Sequence, residues 1–368
     1  MHAHPELGRQ EKRTTGLLVD RLAAAGLAPV VLDGGTGVVC DVGHGAAVVG
    51  LRADLDALPL DDEKDVPYRS RTPGVCHACG HDVHTAVVLG AGLALARAAD
   101  ALPGRVRLVF QPAEELMPGG ALDVLREGHA EGLSAVFGLH CDPSLEAGRV
   151  GLKSGAITAA ADVVRVRLTG PGGHTSRPHN TVDVVHALAT VATGLPEALG
   201  RLVDPRAGLC LVWGHVNAGV ARNAIPREGV VEGTLRVLDK DVWQRAPELV
   251  QRVVAGLVAP YGATADVHYE RGVPPVVNDP SATALFAAAV RTALGSSAAV
   301  PTLQSLGGED FAWYLDRVPG AMCRLGVKPP GLEHPYDLHQ GSFDVDESAI
   351  GAGVRVMVTA ALAALRAA

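Results

Sequence analysis

Through the first 140 residues, apolar runs too short for helices alternate with helical patterns, and that alternation leaves the chain few folds. Strands are expected at Gly37–Val42, Ala46–Ala53, Arg105–Gln111 and Ala135–His140, and helices at Glu11–Ala25, stopped by Gly26, and at Asp82–Ala99. This order makes an α/β fold whose mixed, mostly parallel sheet is sandwiched by helices. Near residue 160 the texture changes. In Ala161–Thr169, apolar Val164, Val166 and Leu168 alternate with Arg165 and Arg167, as in a strand with one wet face. A helix (Thr181–Leu199), two strands (Gly208–His215, Gly229–Leu238), a helix (Asp241–Ala259) and a strand (Ala263–Tyr269) follow. The order β-α-β-β-α-β is that of a ferredoxin-like α+β domain. The expected organisation is therefore a discontinuous domain, 1–159 and 272–368, carrying an inserted domain at 160–271.

Composition narrows the function. The 368 residues suffice for two domains; 48% are hydrophobic but only 4% aromatic, so the core should be Ala, Val and Leu. A net charge of -8 and the absence of Lys/Arg clusters argue against nucleic acid as a partner. The polar start, Met1-His2-Ala3-His4, lacks the apolar run of a signal peptide, and no stretch of eighteen uninterrupted apolar residues suggests a membrane span. Six scattered cysteines then read as reduced thiols of a cytoplasmic protein.

The chemistry concentrates in two segments. His77-Ala78-Cys79-Gly80-His81-Asp82-Val83-His84 gathers imidazoles, a thiol and a carboxylate; two apart in an extended run, Cys79 and His81 point the same way and can share an ion. A redox or zinc-ribbon half-site at Cys76-x-x-Cys79 is the competing reading. It lacks a second Cys pair and leaves His77, His81 and Asp82 without a role. The second segment, Phe110-Gln111-Pro112-Ala113-Glu114-Glu115, ends an apolar strand in two carboxylates that diverge, so one can bind metal while the other addresses water. A surface Glu-Glu pair is usually solvated charge, but a buried strand rarely ends in charge without purpose. His140 closes another apolar run, and His339 lies in a loop with His334 as a nearby competitor. Each is weak alone. Together they supply what a two-metal hydrolase needs.

Across nearly the whole chain the sequence resembles the metal-dependent amidohydrolases that include hippurate hydrolase, the indole-acetyl-amino-acid hydrolases and bacterial N-acyl-amino-acid deacylases. The resemblance is carried by His4-Pro5-Glu6-Leu7, Leu51-Arg52-Ala53-Asp54-Leu55-Asp56-Ala57-Leu58-Pro59, His77-Ala78-Cys79-Gly80-His81-Asp82, Gln111-Pro112-Ala113-Glu114-Glu115, Gly138-Leu139-His140, Gly172-Gly173-His174, Asn223-Ala224-Ile225-Pro226, Gly308-Glu309-Asp310-Phe311 and Leu338-His339. It implies a zinc-peptidase-like catalytic domain holding two divalent ions (manganese, zinc, nickel or cobalt) on Cys79, His81, Glu115, His140 and His339, with Glu114 as general base. It also implies a homodimer formed through the inserted domain, with His174 stabilising the oxyanion in the partner's active site. Asn223, Arg236 and Gly308 fall where relatives contact the substrate's carboxylate or carbonyl. The implied substrate is a small N-acyl amino acid. A dipeptidase or carboxypeptidase of the same group, or a non-catalytic binding protein on the same scaffold, are the alternatives. Two departures stand out. Cys76 replaces a common Met, and Asp54-Leu55-Asp56 stands where the wider group has His-x-Asp, which makes Asp54 and Asp56 orienting residues behind the ligands.

Overall fold

A computed structural model describes residues 1–333 and 336–368; His334, the competing histidine, lies outside the described residues. The chain divides into two compact units, one of Met1–Ile157, Val276–Leu303 and Asp310–Ala368, the other of Thr158–Pro275 and Gln304–Glu309. The segment Gln304–Glu309, which includes Gly308, groups with the second unit and not with the first, to which the expected span 272–368 assigns it.

The first unit is built on an eight-stranded mixed sheet. Its centre is four parallel strands in the order Arg105–Gln111, Val48–Asp54, Leu133–Glu146, Gly320–Lys328. Val38–Gly43 adds antiparallel on one side and Val150–Leu152 on the other. Every residue of Val48–Asp54 is buried, as befits a parallel strand covered on both faces. Alternate residues of the strands feed two cores. Leu51, Leu108, Phe137 and Cys323 pack with Val87 and Val88 of the helix His81–Ala96 and with Val356 and Met357 of the helix Ser348–Ala367. Val109, Val136 and Met322 pack on the opposite face with Phe311 and Tyr314. Trp313, beside them in sequence, donates its indole N–H to the Pro118 carbonyl at 2.9 Å. Gly92 brings the helix His81–Ala96 close to the sheet: a Cβ there would stand 2.2 Å from Leu108 Cδ1 and oblige that side chain to turn away.

The helix Ser348–Ala367 is long and apolar enough to cross a bilayer, although Arg355 and Arg366 interrupt its apolar run. Its buried Ala349, Val356, Met357, Ala360 and Ala361 instead belong to the core. Another correction concerns His140, which does not close its strand: pairing continues through Asp142 to Glu146 against Gly320–Lys328.

The second unit is a four-stranded antiparallel sheet, ordered Cys210–Ala218, Glu228–Val237, Ala160–Thr169, Thr264–Val273, with helices Val184–Leu202 and Lys240–Val258 packed on it and on each other. That is ferredoxin-like order. Val164, Val166 and Leu168 are buried and Arg165 and Arg167 exposed, as the alternation required. Both helices start on an aspartate: Asp183 accepts from His186 N at 3.0 Å and Asp239 from Val242 N at 2.9 Å.

Candidate metal centre

Asp54 ends its strand level with Gln111 of the next one, so both stand at the carboxyl edge of the parallel sheet, where α/β folds gather their sites. Two residues on, buried Asp56 accepts the backbone N–H of Glu114 at 3.0 Å and of Glu115 at 2.9 Å, one on each carboxylate oxygen. The N–H before them, on Ala113, goes to Glu11 Oε1 at 2.8 Å, and Ala113 itself takes a left-handed φ of 55°. Two buried carboxylates thus grip three successive peptide N–H groups. The strand has already ended at Gln111, so strand pleating does not send Glu114 and Glu115 apart as expected: both reach His81 Nε2, Glu114 Oε2 at 3.9 Å and Glu115 Oε1 at 4.0 Å. Burial pushes Glu11 above the usual carboxylate range.

Cys79 and His81 do not lie in one extended run. Gly80, at φ 81°, turns the chain, and His81 is the first residue of the helix His81–Ala96. A Cβ at Gly80 would stand 2.7 Å from Cys141 Sγ, so the turn leaves room for glycine alone. Helix geometry places His84 on the same face one turn later. Its Nε2 accepts the Cys141 N–H at 2.8 Å, so Nδ1 carries the proton and donates it to Asp54 Oδ1 at 2.6 Å. His140 is fixed in the same tautomer: its Nδ1 donates to the Cys141 carbonyl at 2.8 Å, leaving the Nε2 lone pair facing Cys79 Sγ at 3.5 Å. His339, with φ 62°, hangs from the Ala78 carbonyl by its backbone N–H (2.8 Å) and brings Nε2 to 3.2 Å from Glu115 Oε1.

The potential ligand atoms gather in overlapping sets, each within 4.8 Å: Cys79, His81 and His140; Cys79, Glu115 and His339; His81, Glu114 and Glu115. Asp54, His81 and His84 form a further set, so His81 belongs to three of these and Cys79 and Glu115 to two each. His81 is completely buried, yet neither ring nitrogen has a hydrogen-bond partner; Nδ1 stands 3.4 Å from Asp56 Oδ1 and Nε2 3.9 Å from Glu114 Oε2, out of hydrogen-bond alignment. Buried polar atoms are rarely left this way. Burial pushes the His81 imidazole down, but Asp54 and Cys79 around it outweigh that and draw a positive charge onto the ring. Burial also pushes the Cys79 thiol up to about 12. A divalent cation would satisfy the same field, taking the thiolate and the imidazole lone pair as soft and borderline donors. The residues fit such an ion.

Behind the cluster lies a network that the sequence reading missed. Arg52, fully buried, donates to Asp54 Oδ2 (2.7 Å), Gln111 Oε1 (3.0 Å) and Asp310 Oδ1 (2.5 Å). Gln111 Nε2 and Ala121 N donate to Asp310 Oδ2 at 2.7 and 3.0 Å, and Tyr314 donates its hydroxyl to Gln111 Oε1 at 3.1 Å. The signal for Arg52 was available, as a lone charge inside an apolar strand. For His84 the signal was its i+3 spacing from His81. Nothing in the sequence marked Glu11. Cys76 stays a buried thiol, pushed by burial to about 11.

In the second unit, His174 is exposed in a two-residue strand, paired opposite Ala224, next to Asn223. Ser176 N–H donates to His174 Nδ1 at 3.1 Å, which in the neutral ring puts the proton on Nε2. Arg236 is half-buried and pairs opposite Ala161 in the sheet. Gly308 is half-buried in Gln304–Glu309.

Residues 50–363 match the model of peptidase family M20/M25/M40. The chain belongs to that family. It is similar to the N-acetyl-L-cysteine deacetylase of Bacillus subtilis, 37% identical over 95% of this chain and 83% of that one. A Rhodococcus jostii protein named for glutamate–cysteine ligase activity is 48% identical over 97% of this chain, which spans only 45% of its length. Among solved structures, the Bacillus subtilis YxeP protein, described as a dinuclear metal binding peptidase from the M20 family, superposes with a TM-score of 0.88 at 32% identity, covering 100% of this chain and 96% of its own. By this kinship the chain is a metal-dependent amidohydrolase.

Proposed function

We propose that this chain hydrolyses the amide bond of small N-acyl amino acids. The observation that carries the reading is a pair of adjacent carboxylates turned on one imidazole, of which one also meets a second imidazole. The backbone amides of Glu114 and Glu115 are held by one carboxylate; Glu114 Oε2 lies 3.9 Å and Glu115 Oε1 4.0 Å from His81 Nε2, and Glu115 Oε1 also lies 3.2 Å from His339 Nε2. Cys79, His81, Glu115, His140 and His339 would hold two divalent ions, which supply Lewis acidity and an acidified water.

Glu114 takes the proton of the attacking water and passes it to the leaving amine. Asp56 keeps that carboxylate aimed, and Asp54 fixes His84 and, through it, the Cys141 backbone beside His140. His174 presents an Nε2–H suited to a developing oxyanion, a contribution of a few kcal/mol in comparable sites. Asn223, Arg236 and Gly308 contact the substrate's carboxylate or carbonyl. In this reading the second unit also forms the homodimer, and His174 serves the partner's site. The deacetylase relative supports the substrate class.

The test is amino-acid release from a panel of N-acyl amino acids and dipeptides, by enzyme stripped of metal and refilled with manganese, zinc, nickel or cobalt. Metal-dependent release from the N-acyl members is expected. Release from dipeptides alone would replace this reading with a dipeptidase.

A further inference from the structure

Arg324 lies in the strand Gly320–Lys328, in register with His140 of the parallel neighbour. Register partners send their side chains to the same face, so Arg324 leaves the sheet on the side from which His140 reaches Cys79. On its other flank the antiparallel partner is Gly151, which has no side chain to fill the space; a Cβ there would come to 3.2 Å from Arg324 Cβ. Arg324 is 8% exposed. Two arginines are buried among the described residues, and they differ: Arg52 is satisfied by three acceptors, whereas Arg324 has neither a hydrogen bond nor an ion pair among the described residues. The side chain is deeply set, yet its nitrogens are not among the sealed, unpartnered atoms, so the fork stays open to an anion, the partner that arginines this far inside a protein ordinarily have.

We propose that Arg324 determines specificity by receiving a carboxylate of the substrate beside the metal cluster. The planar fork of N–H donors matches a carboxylate in two-point geometry and stays charged throughout the working pH range. The inference rests on the amidohydrolase reading, whose substrates carry an α-carboxylate. A second carboxylate at the far end of the acyl group is the other source of the same chemistry. Arg324 belongs to the first unit, and it adds a cation from the metal-binding sheet itself to the substrate contacts proposed for Arg236.

The experiment compares metal-loaded wild type with Arg324→Met on three amides: N-acetyl-L-leucine, N-acetyl-L-leucinamide, which lacks the α-carboxylate, and N-succinyl-L-leucinamide, whose only carboxylate is on the acyl group. The ratio of kcat/KM for the preferred carboxylate substrate over N-acetyl-L-leucinamide should fall roughly 100-fold in Arg324→Met. A fall confined to N-acetyl-L-leucine assigns the α-carboxylate, and one confined to N-succinyl-L-leucinamide assigns the acyl end. Arg324→Lys, which keeps the charge but not the fork, should recover part of the ratio and covers the case in which the methionine variant fails to fold. Equal loss on all three amides, or no change in the ratio, overturns the assignment. Calorimetric binding of N-acetyl-L-leucine and N-succinyl-L-leucinamide to metal-loaded Glu114→Gln, with and without Arg324→Met, separates the two readings. No turnover by wild type sinks the hydrolase, while affinity for both ligands that is absent, or unaffected by Arg324→Met, sinks the role of Arg324.

Discussion

Two neighbouring polar clusters at the same sheet edge are built on opposite principles. Around Arg52, Gln111 and Asp310, each buried donor meets an acceptor, and the hydroxyl of Tyr314 and the backbone of Ala121 complete the set. Around His81, ring nitrogens stand unpartnered in the interior amid acceptors at 3.4 to 4.0 Å. A fully satisfied buried network rigidifies, and an unsatisfied one stores affinity for whatever completes it. The first cluster is scaffold, the second a receptacle, and Asp54 belongs to both through Arg52 and His84.

Substitutions can break or sharpen that contrast. The largest effect is expected at Glu114. Glu114→Gln should lower kcat by roughly 10³-fold with two metal equivalents retained, measured by turnover beside elemental analysis; near-normal turnover would remove Glu114 from the chemistry. Arg52→Met should cost about 3–5 kcal/mol in denaturant unfolding, because Asp54 and Asp310 would be left as buried charges. A loss under about 1 kcal/mol would mean that the network is not the scaffold described. Asp56→Ala frees two peptide N–H groups and should lower kcat about 10–100-fold with little change in KM. By contrast, His81→Ala should abolish the rise of Tm on adding metal, read by thermal unfolding with and without the ion. A rise equal to that of wild type would remove His81 from the ligands.

The smallest effect concerns pH. Burial raises the Glu11 carboxyl in the folded state above its ordinary 4.5. The native protein therefore binds more protons than the unfolded chain in that window, and the contribution of Glu11 is complete below the ordinary value and lost as pH rises through the raised one. Glu11→Gln should flatten this part of the stability–pH curve, read by urea midpoints across pH 4 to 7. An unchanged slope would dismiss Glu11 as its source.

Much of this was legible in the linear chain, for reasons that particular residues make clear. The strand Arg105–Gln111 could be read to the residue because an apolar run meets Pro112, which cannot continue the pairing. The strand through His140 was cut short because Asp142-Pro143-Ser144 has the composition of a turn; its pairing with Gly326 and Lys328 is a tertiary fact. The ligand residue types stood out because imidazole, thiol and paired carboxylates crowd so few positions. Their support did not: Glu11 and Ala113 are about a hundred residues apart, and only folding turns one into the anchor of the other.

The entry to and exit from the second unit carry a consequence for how the chain reaches its native state. Ile157 N–H bonds to the Val276 carbonyl at 2.9 Å, so the stretch from Thr158 to Pro275 leaves and rejoins the first unit at a single point. The central strand Leu133–Glu146 must still find Gly320–Lys328 across that detour. If the intervening stretch is unstructured, closing so long a loop is slow; if it has already collapsed into its own sheet, its two ends arrive together and the effective loop is short. The order of events on the ribosome favours the second course, since the inserted stretch emerges before the last parallel strand exists to be paired.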